Sequence, residues 1–498
     1  MFARTACAAK YSRWPLRGAP SLGLLSLIAL LGIVAGCTTN VASISPTSVS
    51  SAGPAFKMTV LGSGFSSSSA VQWNGSNRST TYVSATELLA QINAADIATS
   101  GSASITVTNP NGSSGTSGGT SNAKTVSIVT PPVDATTYRI DPAHDGAVTF
   151  TSSVRFPSAP AWQVNLGAGA PSNIVIAHSR VFVTTATSTG SQLVALDLAT
   201  GATAWGPSAI AGAAGAAAGV AYDNGQIFVA QANFNGSTLY AYDADTGALN
   251  WSTPLGAAAP GAPTAADGMV FVITAGNATL DAVDEATGAL AWQRSLSASG
   301  GTPAVTADGV YVAATSSGCS AIDLRPATGE IIWNSSAGTG SCPQADAATP
   351  AAANQLVYLP TSSGTAIFSA EAGSGSGALA DSLPAAFTSS SAYFGGSSNL
   401  DAVSLSNDGV QWTFNGDNQL DTSPILVSDQ AHDRYVLTGS SLGHVYAVDA
   451  TSGSQVWMQA LSGKVEQLAA GDGWLLVVVE TGNDSAGTLT AYTIAANQ

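Results

Sequence analysis

The stretch Leu239-Tyr-Ala-Tyr-Asp-Ala-Asp-Thr-Gly-Ala-Leu-Asn-Trp251 returns in close copies from about residue 138 to the end of the chain, and this recurrence constrains the fold more than any other feature. One copy reads as two short strands and a turn. Leu239 and Ala241 fall on one face of the first strand and Tyr240 and Tyr242 on the other, the Asp-Thr-Gly segment supplies turn chemistry, and Leu249 begins the next strand. A single hairpin of this kind cannot bury both its faces, so the copies must pack on one another.

Clear copies place Asp197, Gly201 and Trp205 after Val181-Phe-Val183, Asp243, Gly247 and Trp251 after Ile227-Phe-Val229, and Asp284, Gly288 and Trp292 after Val270-Phe-Val272. Two further copies carry Asp323, Gly329 and Trp333, and Asp449, Gly453 and Trp457. The tryptophans set the count. Trp162, Trp205, Trp251, Trp292 and Trp333 are 43, 46, 41 and 41 residues apart, Trp333 to Trp412 is 79, and Trp412 to Trp457 is 45. The long interval holds two units, one of which, around Leu356-Val-Tyr358, has lost its tryptophan, whereas the next, around Ala392-Tyr-Phe394, keeps Gly409 and Trp412. The last unit ends without a tryptophan strand, and Ala161-Trp-Gln-Val-Asn165 is such a strand with no unit before it. The simplest arrangement lets this early strand complete the last unit and close a ring of eight four-stranded blades, which removes the open sheet edges. Within each unit the Asp is expected to accept hydrogen bonds from turn N–H groups, the Gly to allow positive φ, and the Trp to fill the wedge between blades. A group that recurs in most blades is architecture, so no catalytic residue is assigned among the repeated Asp and Trp.

The segment before the repeats divides in two. Arg4, Lys10, Arg13 and Arg17 precede an apolar run from Leu22 to Val34, too short to span a bilayer comfortably, and Val34-Ala-Gly-Cys37 follows. Residues 1–36 are expected to be a signal peptide. From Val41 to about Thr130, strands of four to seven residues separated by Gly, Ser, Asn and Pro suggest a β-sandwich. Pro131-Pro132 marks its end, with residues 132–158 as a linker and 159–498 as the ring.

Composition fits an exported all-β chain. Only 9% of residues are charged, and lysine is confined to Lys10, Lys57, Lys124 and Lys464, so helix-favouring surfaces are scarce. Formal charge is −16, and removing the four basic residues of the leader brings the mature chain to about −20, which repels nucleic acid. With Cys7 lost in the leader, Cys319 and Cys342 remain as a pair for which a disulfide is the simplest reading; a two-cysteine metal site lacks nearby histidine, the four being His144, His178, His432 and His444. The segment Asn415-Gly-Asp-Asn-Gln-Leu-Asp421 superficially suggests calcium but lacks the glycine and terminal glutamate of an EF-hand, and is read as a loop. His144 is read as a turn or packing residue.

Three resemblances attach to these motifs. Val34-Ala-Gly-Cys37 resembles the lipobox of bacterial lipoproteins, which implies acylation of Cys37 and, with no Asp beside the cysteine, sorting to the outer membrane. Ile44-Ser-Pro46, Leu61-Gly-Ser-Gly-Phe65 and Ser104-Ile-Thr-Val-Thr-Asn-Pro110 resemble, in that order, the IPT/TIG family of immunoglobulin-like domains, spacer or binding modules without intrinsic chemistry. The repeated Val-Tyr/Phe-Val with Leu-Tyr-Ala-x-Asp-x-x-Thr-Gly-x-x-x-Trp is similar to the PQQ-like repeat, shared by quinoprotein alcohol dehydrogenases and by the lipoprotein BamB of outer-membrane barrel assembly. The dehydrogenases imply a vicinal cysteine pair, calcium ligands and an aspartate base; here Cys319 and Cys342 lie 23 residues apart, and no haem-attaching Cys-x-x-Cys-His is present. The expectation is therefore a lipid-anchored, non-catalytic envelope protein that needs no cofactor or metal and presents blade loops to a protein partner. The alternatives are a quinone-dependent dehydrogenase and a glycan-binding surface protein.

Overall fold

A computed structural model describes residues 39–495 except 51–55, 100, 110–118, 130–133, 168–170, 214–218, 234–235, 257–260, 275–278, 297–300, 316–317, 339, 344–348, 380–384, 396–397 and 482–485. The leader and Cys37 lie outside the described residues. The chain divides into two compact units, residues 1–131 and 132–498.

The first unit is a sandwich of two sheets. One runs in the order Asn40–Ser45, Phe56–Ser63, Glu87–Ile92, Thr80–Ser84; the other places Lys124–Val129 between Ser48–Ser50 and Gly101–Asn109, followed by Ala70–Trp73. Alternation of large apolar residues along these strands sends Met58, Val60, Leu88, Val71, Trp73, Ile105 and Val126 into one core between the sheets, each 3% exposed or less.

The second unit contains, among the described residues, eight sheets, each built from successive antiparallel strands in chain order. Sheet 1 is typical: inner strand Val175–Ala177, second strand Arg180–Thr187, third strand Gly190–Asp197 and outer strand Thr203–Ala211. Sheets 2 to 7 start with inner strands Gly219–Asp223, Thr264–Ala266, Ala304–Val305, Ala351–Ala353, Ala385–Phe387 and Ile425–Asp429. Sheet 8 starts with Lys464–Gly471, and its outer strand is Trp162–Asn165, paired antiparallel with Ala486–Thr493. The inner strand of sheet 8 touches that of sheet 1, so the ring closes. Second and third strands are buried on both faces, as in Val310–Ala314 and Ser320–Leu324, because each sheet is covered by a neighbour on either side.

Residues 134–158 are not a linker, contrary to the sequence expectation. They form a strap that visits the inner strands in order. Ala135 and Ile176 of sheet 1 exchange two hydrogen bonds of 2.8 Å, and Tyr222 of sheet 2 donates its N–H to the Thr136 carbonyl at 2.7 Å. The Thr137 hydroxyl then donates to the Pro263 carbonyl beside sheet 3. Val305, Ala352, Phe387 and Leu426, of sheets 4 to 7, donate their N–H groups to the carbonyls of Pro142, Ala143, Asp145 and Gly146. Ala147–Phe150 adds a parallel fifth strand inside sheet 7, and Arg155 bonds to Ile494 of sheet 8. The physical reason is that each inner strand has one edge with no partner in its own sheet, and the strap supplies acceptors for those buried N–H groups.

Candidate functional site

Two candidates arise from this geometry: the repeated residues, which the sequence makes conspicuous, and the channel at the ring's centre. The repeated residues build the joints between sheets. Asp243 Oδ1 accepts from the Thr246 N–H at 2.8 Å and its hydroxyl at 2.7 Å; Asp197, Asp284 and Asp449 make the same pair of bonds with Thr200, Thr287 and Ser452. The Thr246 hydroxyl and N–H hold the Asp243 carboxyl below the usual range, and Thr287 does the same for Asp284. Each turn closes with the Gly in the left-handed region, Gly247 at φ +69°, which leaves a flat patch for the tryptophan of the preceding sheet. A Cβ on Gly247 would stand 2.5 Å from the Trp205 ring, and Gly201, Gly288, Gly329, Gly373 and Gly453 face Trp162, Trp251, Trp292, Trp333 and Trp412 in the same way. Each indole also donates to a carbonyl in that turn, as Trp205 does to Ala244 at 2.9 Å and Trp162 to Leu198 at 2.8 Å. One oxygen of each carboxyl, the glycine and the indole N–H are thus engaged in the joint itself.

Three joints depart from the sequence expectation. In sheet 4 the turn position belongs to Arg325, whose carbonyl accepts the Gly329 N–H at 2.9 Å, and Asp323 is not the turn residue. Asp323 instead pairs across the ladder with Trp333, where sheets 1, 2, 3, 6 and 7 place Ala195, Ala241, Ala282, Ala402 and Ala447. No residue is inserted: Arg325 precedes Gly329 by four positions, as Asp243 precedes Gly247, and Asp323 precedes it by six, as Ala241 precedes Gly247. Its carboxyl is buried, with Oδ1 unpartnered, and burial pushes its pKa up to about 7. In sheet 6 the left-handed position is held by Asp408 at φ +57°, not by Gly409. At the end of sheet 7, no Thr-Gly turn follows for Trp457; Phe156 stacks on it with centroids 5.4 Å apart and the Pro157 carbonyl accepts its indole N–H at 2.7 Å.

The channel is different, because it keeps unused groups. A cavity of about 510 Å³ opens at the N-terminal ends of the inner strands of sheets 1, 2, 3, 7 and 8, and the strap residues Tyr138 and Arg139 line it. Arg139 is 8% exposed; its Nε donates to the His144 carbonyl at 3.2 Å and its Nη2 to the Ala385 carbonyl, while Nη1 has no partner. Burial lowers the pKa of this guanidinium, and Asp141 and Asp145 beside it oppose the effect; burial likewise raises both carboxyls. His144 is fully buried and bonds through Nδ1 to the Pro350 carbonyl at 3.3 Å; burial and the Arg139 charge push its pKa down to about 3, so it packs as a neutral ring. Glu466 and Glu480 also line the cavity and hydrogen-bond to each other, and Lys464 Nζ lies 3.1 Å from Glu466 and 3.3 Å from Asp421. Burial first, then the neighbouring Glu480, raises the Glu466 carboxyl. Neither Arg139 nor the two glutamates were singled out from the sequence, since they come from the strap and from the one sheet whose repeat is least regular.

Comparison with known proteins bears on both candidates. Residues 40–127 match the IPT/TIG domain, and residues 189–392 and 396–496, more than half of the chain, match the family described as outer membrane protein assembly factor BamB. The chain belongs to the BamB family. Solved structures share its fold: BamB from Moraxella catarrhalis (TM-score 0.52, 18% identity) covers 68% of this chain and 98% of its own. A europium-containing methanol dehydrogenase (0.57, 13%) covers 72% and 98%, and quinohemoprotein alcohol dehydrogenase from Comamonas testosteroni (0.54, 14%) covers 74% and 81%. No curated protein matches the chain.

A quinone with calcium does not fit the residues present in this BamB-family ring. Cys319 and Cys342 are bonded to each other across 23 residues, with Cα atoms 4.6 Å apart, and neither lines the cavity. Among the described residues no group of three or more His, Cys, Asp or Glu converges as a metal site. In the calcium-like segment 415–421, Asp417 accepts from the Ser440 hydroxyl at 2.6 Å and sits 2.6 Å from His444 Nδ1, so this loop is a clasp on sheet 7.

Proposed function

We propose that this chain is a non-catalytic, lipid-anchored protein of the cell envelope, whose propeller is a scaffold for protein partners in outer-membrane protein assembly. The observation that carries this reading is the match of more than half of the chain to the BamB family. Support comes also from the repeated Asp, Gly and Trp residues, which are engaged in joints between sheets, and from a channel whose donor set does not suit a quinone and calcium. Partner recognition then falls to the loops, where the units differ from one another. The motif Val34-Ala-Gly-Cys37 supports attachment through Cys37 at the outer membrane as part of this reading.

Crosslinking in intact cells followed by mass spectrometry tests the reading. Recovery of barrel-assembly components supports it; their absence, with the chain expressed and folded, removes it, and recovery of envelope glycans would move the assignment to adhesion. Cys37→Ser should release the protein from membranes, and continued membrane association would contradict the anchor. Reconstitution with pyrroloquinoline quinone and calcium should give neither a bound-cofactor absorbance nor alcohol-dependent dye reduction; either signal would establish a dehydrogenase instead.

A further inference from the structure

We propose that the joint between sheets 2 and 3 is a proton-operated latch, in which Asp223 of one sheet and Glu285 of the next share a single proton and the loss of that proton loosens the joint. Asp223 ends the inner strand of sheet 2, and Glu285 follows the third strand of sheet 3, Thr279–Asp284. The backbone of Glu285 fixes its place. Its N–H donates to the Gly268 carbonyl at 3.0 Å, and its carbonyl accepts the Trp251 indole at 2.9 Å and the Gln226 amide at 3.1 Å, so the residue is only 3% exposed. In five other joints the carbonyl that accepts the indole belongs to Leu198, Ala244, Pro326, Ala370 or Ala450, whose side chains cannot ionise. Among these six joints, only this one carries a carboxyl there.

That carboxyl meets a second acid. It hydrogen-bonds to Asp223 across the joint; Asn224 Nδ2 donates to Glu285 Oε2 at 3.3 Å, and the Asn224 N–H donates to Asp223 Oδ1 at 2.9 Å. Among the described residues neither acid is in an ion pair. Two other ionisable groups face the pair. Asp267, in the turn between the first two strands of sheet 3, adds repulsion at Asp223, and the Tyr222 phenol is pushed up to about 12 by burial and then by Asp134, so it stays neutral. Two touching carboxyls without a cation keep one proton between them, and the resulting bond to a carboxylate is among the stronger kinds. Burial first, then the Asp223 charge, pushes Glu285 up to about 7. Because this folded value lies above the ordinary one, the stabilisation is complete below about pH 4 and is lost as pH rises through about 7. The second ionisation replaces a bond across the joint by repulsion, and a Glu285 that moves away from Asp223 takes the acceptor of the Trp251 indole with it.

Hydrogen–deuterium exchange on the full chain, read by mass spectrometry and corrected for the intrinsic pH dependence of exchange, tests this. Peptides covering residues 219–226 and 279–288 should exchange about tenfold faster at about pH 9 than at about pH 5, with no comparable change in sheet 6. Glu285→Gln keeps a donor for Asp223 and cannot ionise, so it should abolish the acceleration while exchanging as the natural chain does at about pH 5. Asp223→Asn removes the repulsion from the other side and should reduce the acceleration; it carries the comparison if the first variant does not fold. The proposal is overturned if the joint of the natural chain exchanges alike at both pH values, if sheet 6 accelerates equally, or if Glu285→Gln accelerates as the natural chain does.

Discussion

The joint between sheets 2 and 3 and the joint between sheets 5 and 6 solve the same packing problem with different residues. In the first, Trp251 of the outer strand covers Gly288 of the next sheet, donates to the Glu285 carbonyl at 2.9 Å, and packs on Phe228 with centroids 5.9 Å apart. In the second, Gly377 occupies the tryptophan position opposite Ile367. Tyr358, the counterpart of Phe228, then turns its packing to Phe387 in the inner strand of the next sheet, with centroids only 4.3 Å apart. The receiving glycine has gone as well, since Asp408 holds its place. The two losses belong together: without an indole there is nothing for a Cβ to strike, and Asp tolerates the left-handed region better than most residues. The wedge between wedge-shaped sheets must be filled, but the side chain that fills it can come from the outer or the inner part of the blade.

The comparison can be broken first at the closing joint. Deleting residues 1–166 removes the strap, Phe156 and the Trp162–Asn165 strand, leaving sheet 8 with an open edge and Gly201 uncovered; the remainder should show no cooperative unfolding transition in urea. A normal transition would mean that closure does not hold the ring. Next in size, Trp251→Ala should lower stability by about 3–5 kcal/mol, read from the denaturant midpoint, as a large ring and its hydrogen bond are lost together. Tyr358→Ala should cost a similar amount if it has taken over the wedge; a loss below about 1 kcal/mol would show that the sheet 5 and 6 joint is loosely packed.

The glycine positions offer a sharper contrast. Gly247→Ala should cost about 2–3 kcal/mol, because the Cβ meets the Trp205 ring at 2.5 Å and φ is +69°. Gly409→Ala, one residue past the equivalent turn position, should change stability by less than about 1 kcal/mol, its Cβ meeting only the Asn407 side chain. Equal effects would refute the docking role of the glycine.

Smallest is the effect at Asp323, where sheet 4 carries a carboxyl in place of alanine. Its folded pKa of about 7 lies above the model-peptide value, so the folded state binds the proton more tightly. The ionisation penalty is therefore absent at low pH and grows as pH rises from about 4 to about 7. Asp323→Asn should stabilise the protein by on the order of 2 kcal/mol at about pH 8 and much less at about pH 4. A gain that does not change with pH would show that ionisation is not the cause.

These joints were largely legible beforehand. Asp197, Asp243, Asp284 and Asp449 with their glycines and tryptophans are local and repeated, and repetition separates turn chemistry from a single acidic site. Asp323 was misplaced because residue type was matched without its distance to Gly329, although the sequence held that distance. The cavity was not legible. Arg139, Glu466 and Glu480 are each unremarkable in their own stretch, and they line one cavity only because the strap runs along the inner strands and a bulge displaces Glu466.

By itself the sequence determined the all-β class, the sandwich before the ring, the number of repeated units and the use of Trp162 to complete the last one, since each rests on short-range periodicity that has one physical reading. Only the tertiary structure decided that residues 134–158 are a strap, that Phe156 and Pro157 replace a missing turn, and that Arg139, Glu466 and Glu480 line one cavity. Those features are hydrogen bonds and contacts between residues as much as some 300 positions apart, such as the Trp457 indole on the Pro157 carbonyl, and no local pattern encodes a partner at that distance.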